Sequence, residues 1–384
     1  MNFNLNAEQQ LLQDSVRRFV ERAYSFEART ALINARSTCD AAHWQTFATN
    51  GWLAAALPDA YGGLGGTLLD TVLIAHEFGR GLVTQPYLGC AVLAAQTLLA
   101  AGTPSQNACW LPQLADGSRK FALAYSEAQS RGFPETVSLR ASTTSNGYSL
   151  SGSKTLVLGG ADAQSFVVSA ITPDADGITL FLVHADTPGL SRRVVPLHDG
   201  SFAAELAFGQ VQVTRDAVLG ERGKGLPALR VGLAHATAAL CAELVGAMEK
   251  AIELTAEYLK VRNQFGVPIA SFQVLQHRIA DMAAEMELAR SMLYALLESI
   301  ENGDEPARLR AVSQAKSIVG RAARFVCAQA IQLHGGIGMT EEYQVGHFYK
   351  RAVVADVLFG SGDAHDAACA AQLQKDLLEK ENHA

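Results

Sequence analysis

Two short segments contain the residue types that would bind a phosphate group or a dinucleotide. The first runs from Arg262 through Phe265 to Gln273, and the second begins at Gln332 and includes Gly336. An arginine presents a planar fork of donors that suits phosphate oxygens. A glycine lets the backbone approach a ligand closely. The alternative is that Arg262 is a surface ion-pair partner and Gln332 a solvated helix residue.

Length, composition and charge narrow the class of protein. A chain of 384 residues has room for two or three domains around sizeable cores. Its 49% apolar and 18% charged residues are typical of a globular enzyme rather than a disordered chain. The net charge of −7 argues against nucleic acid as a partner, because phosphate-binding surfaces are usually basic. We interpret this charge as a contribution to solubility.

The cysteines and the amino-terminal sequence bear on the compartment. Six cysteines lie far apart without a Cys-x-x-Cys pair, which predicts buried free thiols rather than disulfides or a metal site. Residues 1–6 lack a basic region followed by an apolar run, so we expect no secretory signal. No uncharged apolar stretch approaches the roughly 20 residues that span a bilayer. The sequence therefore predicts a cytoplasmic protein without membrane insertion.

The first 117 residues are predicted to form a helical domain. Leu11, Val16, Phe19 and Val20 recur at helical spacing. The glycine-rich stretch 61–66 then interrupts the pattern. It resembles a phosphate-binding loop only superficially, because no strand precedes it and no Lys-Ser/Thr follows. A turn between helices is the better interpretation.

Residues 118–224 are predicted to form an antiparallel β domain, either a small barrel or a sandwich. Tyr148 and Leu150 alternate with serines, and short apolar runs follow that are separated by Gly, Pro and Asp clusters. The period changes again after residue 224, where helical spacing returns.

Residues 225–384 are predicted to form a four-helix bundle. Apolar residues from Leu275 to Ile300 step by three and four along one helix face. Gly303 stands where a helix cap belongs, and Pro306 prevents simple continuation, so we expect the next helix over 307–333. The fold class is therefore mainly α with a β domain in the middle.

These segments, in this order, resemble the acyl-CoA dehydrogenase family over essentially the full chain. Residues 110–117 and 219–225 resemble the entry to and the exit from the family's middle domain. Residues 3–26 and 335–359 resemble most closely the small subunit of bacterial pimeloyl-CoA dehydrogenase. The resemblance implies an FAD cofactor, an acyl-CoA substrate that undergoes α,β-dehydrogenation, and transfer of the electrons to an electron-transferring flavoprotein.

The resemblance also implies a role for each residue of the two opening segments. Arg262 corresponds to an arginine that pairs with the FAD pyrophosphate of the neighbouring subunit. Phe265 would pack near the adenosine and Gln273 would donate a hydrogen bond to it. Gln332 and Gly336 would line the same pocket.

The residues that would contact the flavin ring depart from the family pattern. Ser126 still offers a hydroxyl group, but Gly132 falls where the family has a hydroxyl donor. A Trp-Ile-Thr run flanks the ring in the family, and residues 156–158 stand in its place. Leu158 cannot donate a hydrogen bond to the flavin. Ser361 and Asp363 match positions that contact the cofactor, although a glutamine is usual where Asp363 stands.

The resemblance places no catalytic base in this chain. The position of the usual glutamate is occupied by Phe359, and the alternative base position by Ala236. Neither side chain can accept a proton. The nearest titratable residues are Asp356, Asp363, His365 and His235.

This pattern leaves three hypotheses open. The first is a base-lacking subunit that completes the dinucleotide site of a catalytic acyl-CoA dehydrogenase subunit in a heterotetramer. The second is a self-sufficient homo-oligomer whose base has moved to His235 or Asp363. The third is a non-catalytic scaffold that binds acyl-CoA or FAD. A freely drifting paralogue should lose both halves of the flavin site, and the loss of only one half favours the first hypothesis.

Overall fold

The structure, a computed structural model, describes residues 5–173 and 175–381, and only the backbone of 379–381. Residues 1–4 lie outside it, and residues 3 and 4 are part of the resemblance over 3–26. The helices in the first 117 residues are α1 (Ala7–Ala23), α2 (Phe26–Asn34), α3 (Ala41–Thr49), α4 (Leu68–Gly81), a π-helical segment (Leu88–Ala94) that continues into α5 (Ala95–Ala101), and α6 (Pro104–Ala115).

Helix α1 begins with a capping box. The Asn6 side chain accepts from the Gln9 amide, and the Gln9 side chain accepts from the Asn6 amide. Val16 and Val20 are buried, as the helical spacing predicts. Leu11 belongs to the predicted helix, but it lies in the first turns outside the buried stripe and is 65% exposed.

The glycine-rich stretch is a turn that leads into α4, as predicted. Gly62 has a φ of +80°, which favours glycine. A Cβ atom on Gly63 would lie 1.9 Å from the Leu57 carbonyl oxygen. Close packing of the backbone therefore explains the glycine at position 63, and no ligand is needed to explain it.

The middle of the chain forms one sheet with β6-β7-β3-β2-β4-β5-β8 as its strand order and β1 added beside β4. Its strands are β1 (Phe121–Ala124), β2 (Arg140–Thr143), β3 (Gly147–Leu158), β4 (Ser165–Ile171), β5 (Ile178–His184), β6 (Leu190–Pro196), β7 (Phe202–Thr214) and β8 (Val218–Leu219). Most neighbours are antiparallel, as predicted. The pairings of β4 with β1 and with β2 are parallel, which the sequence did not predict. Leu150, Phe166, Phe181 and Val211 are fully buried against this sheet.

The carboxy-terminal helices are α7 (Gly225–Val261), α8 (Gln273–Asn302), α9 (Glu305–His334), α10 (Val345–Val357) and α11 (Gly362–Glu381). A two-stranded hairpin of β9 (Asn263–Gln264) and β10 (Val267–Pro268) follows α7. Gly303 caps α8, as predicted. Asp304 caps α9 and Pro306 stands in its first turn, so α9 begins at Glu305 rather than at residue 307.

These helices form the predicted bundle. The face of α8 from Met282 to Ile300 is buried. Helix α9 packs against α8, α10 and α11. Helix α7 is joined to α8 by Arg290 and Glu249, whose closest nitrogen and oxygen are 3.2 Å apart. Two side-chain hydrogen bonds of 2.6 and 3.0 Å from Arg351 to Glu243 join α10 to α7.

The described residues form two compact units by their internal contacts. The helical unit comprises the described residues of Met1–Arg29, Val72–Val83 and Thr237–Ala384. The sheet unit comprises the described residues of Thr30–Thr71 and Thr84–Ala236. The domain boundaries predicted from the sequence, 1–117, 118–224 and 225–384, stay predictions. The two compact units each combine separate segments of the chain, so they do not test these boundaries.

Helix α7 is the one helix of the described chain that is long and apolar enough to cross a bilayer. However, 89% of its most apolar window is buried inside the protein. Such burial is typical of a core helix.

All six cysteines are free thiols. Burial was predicted for them and holds for Cys90, Cys241 and Cys327, whereas Cys109 on α6 is exposed. Among residues 5–173 and 175–381, no three metal-ligating side chains lie together.

Candidate functional site

The hairpin after α7 presents Arg262 and Phe265 to solvent. The Ile269 amide donates to the Arg262 carbonyl at 2.8 Å and closes the hairpin. Phe265 and Gly266 form its turn with φ of +55° and +81°, the conformation of a two-residue hairpin turn. Phe265 is 90% exposed. Arg262 is also exposed, and no ion pair or side-chain hydrogen bond joins it to another residue in the described ranges.

An aromatic stack brings the second segment beside this hairpin. The Tyr258 ring lies 4.4 Å from the His334 ring at an interplanar angle of 27°. Tyr258 is one turn from the end of α7, where its carbonyl accepts from the Arg262 amide at 2.9 Å. His334 is the last residue of α9, and burial lowers the pKa of its ring. The ends of α7 and α9 therefore meet.

Gly336 follows this stack on an exposed 3₁₀ turn, Gly335–Met339. A Cβ atom on Gly336 would meet no described atom within 4 Å, and its φ lies outside the left-handed region. Packing within this chain therefore does not explain the glycine. Approach of a ligand or of another chain would explain it.

The structure thus brings the five predicted dinucleotide residues to one end of the bundle. Gln332 is exposed near the end of α9, and Gln273 is exposed at the start of α8. Phe272, which precedes Gln273, contacts the Phe265 ring edge-on at 6.1 Å. We call Arg262, Phe265, Gln273, Gln332 and Gly336 the hairpin site.

The turn between α10 and α11, residues 358–361, contains the position of the usual base. Phe359 is 6% exposed and has a φ of +60°, a left-handed conformation that costs an ordinary residue on the order of 1 kcal/mol. The Lys316 ammonium group donates to the carbonyls of Gly360 at 2.9 Å and Asp356 at 3.0 Å. His365 holds the Phe359 carbonyl through Nε2 at 2.9 Å.

The groups that hold this turn are buried, and their pKa values shift accordingly. Burial lowers the pKa of Lys316, and it lowers the pKa of His365 to about 4. A neutral His365 donates through Nε2 to Phe359 and accepts at Nδ1 from the Ser313 hydroxyl group at 3.1 Å. Both ring nitrogens are therefore engaged, which makes His365 a poor base.

Lys316 was not predicted from the sequence, although a signal was present. Lys316 stands on the stripe of α9 that Val319, Ala323, Val326 and Ala330 continue at spacings of three and four. All of these residues are buried. A lysine on a buried stripe indicates a specific partner, because a buried charge without one is costly.

Ser361 and Asp363 lie at the start of α11, and Asp363 lines an open cavity of about 480 Å³. Asp356 also lines it, and its carboxylate accepts from the Gly362 amide at 3.2 Å. The other charged side chains of the cavity are Arg321, Arg324 and Asp366. Three carboxylates therefore face two guanidinium groups there.

The hairpin site and the α10–α11 turn are far apart along the same helix. Lys316 contacts the turn, and Gln332 belongs to the hairpin site. Sixteen residues of α9 at 1.5 Å each separate them by about 24 Å. One chain therefore presents the hairpin site and the α10–α11 turn at different places. We call these two regions the half-sites.

In the sheet unit, Glu127 beside Ser126 is part of a buried ion pair. Its carboxylate accepts from Lys154 at 2.8 Å and from the amides of Ser138 and Leu139 at 2.8 and 3.1 Å. Burial lowers the pKa of Lys154 to about 8. Burial would raise the pKa of Glu127, but the bonds from Lys154 and Ser138 lower it. Ser126 itself is buried, and this pair has a structural role.

Residues 156–158 lie at an irregularity in β3. Its register against β7 shifts between Lys154 and Val157, and Leu156 has a φ of +51°. Arg131, next to Gly132, has a φ of +50°. Seven described non-glycine residues have a positive φ. Four of them lie in segments that the family resemblance singled out: Arg131, Leu156, Phe265 and Phe359. Such strain clusters at functional sites. Ala236 on α7 is fully buried and His235 beside it is partly buried.

Comparison with known proteins identifies one family over nearly the whole chain. Three family models match: the acyl-CoA dehydrogenase N-terminal domain over residues 6–118, the middle domain over 122–211 and the C-terminal domain over 223–374. Among curated relatives, acryloyl-CoA reductase (NADH) from Anaerotignum propionicum is 30% identical over 98% of this chain and 96% of its own length.

Solved structures are similar over nearly the full length. A chain of the ChsE4-ChsE5 complex from Mycobacterium tuberculosis superposes with a TM-score of 0.88 and 25% identity, covering 97% of this chain and 99% of that one. A chain from the structure of the electron transferring flavoprotein of Acidaminococcus fermentans gives 0.89 and 26%, with coverage of 97% and 99%.

Proposed function

Because the chain belongs to the acyl-CoA dehydrogenase family, whose members are FAD-binding oxidoreductases acting on CH–CH bonds, we propose that it is the base-lacking subunit of a heterotetramer. Its hairpin site completes the FAD site of a catalytic acyl-CoA dehydrogenase subunit. That partner subunit supplies the base and the groups around the flavin ring. An electron-transferring flavoprotein then takes the electrons.

The observation that carries the proposal is the contrast between the two half-sites. Arg262 and Phe265 are exposed, and the Arg262 side chain has no hydrogen bond or ion pair with another described residue. Phe359 and Ala236, in contrast, are buried apolar residues at both base positions. The separation of about 24 Å along α9 supports the proposal that the hairpin site serves a different flavin from the one that would lie beside Phe359.

The residues of the hairpin site fit the dinucleotide part of FAD. The Arg262 guanidinium group would donate charge-assisted hydrogen bonds to phosphate oxygens of a bound FAD. Phe265 offers a flat apolar surface to an adenosine, and Gln273 and Gln332 can donate and accept hydrogen bonds. Gly336 lets the backbone approach. Bound FAD supplies the acceptor for the substrate's β-hydride, and this chain holds and orients the far end of that cofactor.

The positions that would contact this chain's own flavin ring do not fit a flavin that reacts. Leu158 has no donor for the ring. The cavity beside Asp363 sets three carboxylates against the guanidinium groups of Arg321 and Arg324, so it offers no net positive charge to a second pyrophosphate. No catalytic step is therefore assigned to this half of the chain.

The similar structures support a partnership between different chains. One similar chain is part of a complex named for two components, and another comes from a structure of an electron transferring flavoprotein. We extend both features, a second subunit and a flavoprotein electron acceptor, to this chain as proposals. From the resemblance of residues 335–359 we further propose a pimeloyl or related dicarboxylyl thioester as substrate, and the cytoplasm as location.

Expression of the chain alone and together with the acyl-CoA dehydrogenase reading frame nearest to its gene tests the proposal. We expect stable flavin absorbance, and its bleaching by acyl-CoA, only in the co-expressed complex. Full activity of the chain alone, abolished by His235→Gln or Asp363→Asn, would establish the homo-oligomer with a relocated base. A complex that contains this chain but never retains flavin would establish the scaffold.

A further inference from the structure

Helices α4 and α7 cross in direct backbone contact within the helical unit. A Cβ atom on Gly79 would lie 1.9 Å from the Glu243 carbonyl oxygen. A Cβ atom on Gly246 would lie 2.0 Å from the His76 carbonyl oxygen. No side chain separates the helices there. The side chains that flank the crossing add hydrogen bonds and ion pairs between α4 and α7.

His76 on α4 flanks this crossing between two carboxylates. Its Nδ1 atom lies 3.2 Å from the Glu77 carboxylate, and its Nε2 atom lies 3.1 Å from the Glu249 carboxylate on α7. The His76 side chain is 12% exposed. A neutral imidazole has one N–H, so the lone pair of its other nitrogen would face a carboxylate oxygen. Only the imidazolium form donates to both.

Both carboxylates are themselves held as anions by further donors. Arg17 on α1 donates to Glu77 at 2.8 Å, and Arg290 on α8 donates to Glu249 at 3.2 Å. Burial would raise the pKa values of both carboxylates, but hydrogen bonds and charges lower each to about 2. The remaining charged or polar groups that face this cluster from the packed helices are Gln13 on α1, Arg80 on α4, Lys250 and Glu253 on α7, and Glu287 on α8.

We propose that His76 is a pH-sensitive lock that, as an imidazolium between Glu77 and Glu249, strengthens the hold of α4 on α7 and weakens it when it loses its proton. Arg80 also joins α4 to Glu249 and Glu253 of α7, and because an arginine stays charged, only the His76 contact changes with pH. Loss of the proton turns one of the two bridging hydrogen bonds into a repulsive contact while the carboxylates stay charged.

The direction of the pH dependence follows from these contacts. Burial lowers the pKa of His76, but the hydrogen bonds to Glu249 and Glu77 outweigh burial and raise it overall. The folded state then binds this proton more tightly than the unfolded chain, whose histidine titrates near pH 6.5. The stabilisation is therefore complete below about pH 6.5 and is lost as pH rises through the folded-state pKa.

The direct test observes the ring itself in the full-length protein, in its complex where one forms. Histidine labelled at Cε1 is titrated by NMR, and the His76 resonance is assigned by its loss in His76→Gln. We expect this resonance to stay in the imidazolium form above about pH 6.5, where an unperturbed histidine has lost its proton. A His76 resonance that becomes neutral at or below about pH 6.5 overturns the proposal.

A second test asks whether the ring locks the helices. In a double-mutant cycle of His76→Gln and Glu249→Gln, we expect a coupling of roughly tenfold in the unfolding equilibrium constant near pH 6, and none well above the His76 pKa. His277→Gln with Glu249→Gln serves as the control and should show no coupling. A coupling that does not change with pH would show a structural contact without a switch.

Hydrogen exchange of the unmutated protein keeps the test independent of variant folding. After correction for intrinsic exchange rates, we expect amides of α4 to lose protection as pH rises through the His76 pKa. The amides of α9 should keep theirs. Equal changes in α4 and α9, or none in α4, would contradict a weaker hold at this crossing.

Discussion

The Tyr258 ring stacks on the His334 ring at a centroid distance of 4.4 Å, and this contact joins the end of α7 to the end of α9. Arg262 lies one turn beyond Tyr258, and Gly336 lies two residues beyond His334. One aromatic contact therefore sets the relative positions of the arginine and the glycine that we assign to a dinucleotide. The assignment leads to the first two predictions.

Replacement of Arg262 should weaken flavin retention in the complex. The Arg262→Ala variant loses hydrogen bonds to charged oxygens, which contribute about 1.5–3 kcal/mol and correspond to a roughly 10- to 150-fold higher dissociation constant for FAD. Flavin absorbance after dialysis, with a titration of added FAD, measures the change. Arg18→Ala removes another exposed arginine and should retain flavin normally. Equal retention in both variants would contradict the role of Arg262.

Gly336→Val should separate cofactor binding from stability. No described atom lies within 4 Å of an added Cβ, so the free energy of unfolding should change by less than about 0.5 kcal/mol, as for an ordinary surface position. Flavin retention should nevertheless fall, because the side chain fills space that a cofactor needs. Urea unfolding and flavin absorbance of the same preparation test both expectations. A variant that keeps its flavin would remove Gly336 from the site.

The buried Glu127–Lys154 pair should be costly to break from one side. Lys154→Met leaves the Glu127 carboxylate buried without its cation, which costs about 3–5 kcal/mol. The double variant with Glu127→Gln should recover much of this loss, because no unpaired charge remains. Urea unfolding of the three variants measures the difference. A small loss in Lys154→Met would show that water reaches the carboxylate.

His365 should make the protein less stable in acid. Its pKa falls from an ordinary value near 6.5 to about 4 in the folded state, so the unfolded chain binds the proton first as pH decreases. The stability should drop by about 2 kcal/mol between pH 7 and pH 5 from this group. His365→Gln should flatten that part of the profile, whereas exposed His277→Gln should not. An unchanged acid dependence in His365→Gln would refute the assignment.

The sequence predicted best those features that depend on neighbouring residues. Gly303, Asp304 and Pro306 mark the end of α8 and the start of α9, and the apolar spacing from Met282 to Ile300 identifies the buried face of α8. The parallel pairing of β1 with β4 could not be predicted in this way. It joins residues about forty positions apart, and alternation along a strand does not specify its partner.

The same distinction applies to the candidate site. Arg262 and Phe265 could be recognised because they lie close together in the sequence, within one hairpin. The hydrogen bonds of Lys316 and His365 to the α10–α11 turn could not, because they join α9, α10 and α11 across the bundle. A lysine is usually exposed, and only its place on a buried stripe indicates otherwise.

Helix α9 is unbroken from Glu305 to His334 and carries a contact to each half-site. Inserting one residue between Lys316 and Gln332 would turn one end against the other by about 100° and lengthen the helix by about 1.5 Å. Each half-site would keep its local geometry, yet the chain would no longer match a partner whose own helix is unchanged. The lengths of this helix in the two subunit genes should therefore change together during evolution, so that insertions occur in both genes or in neither.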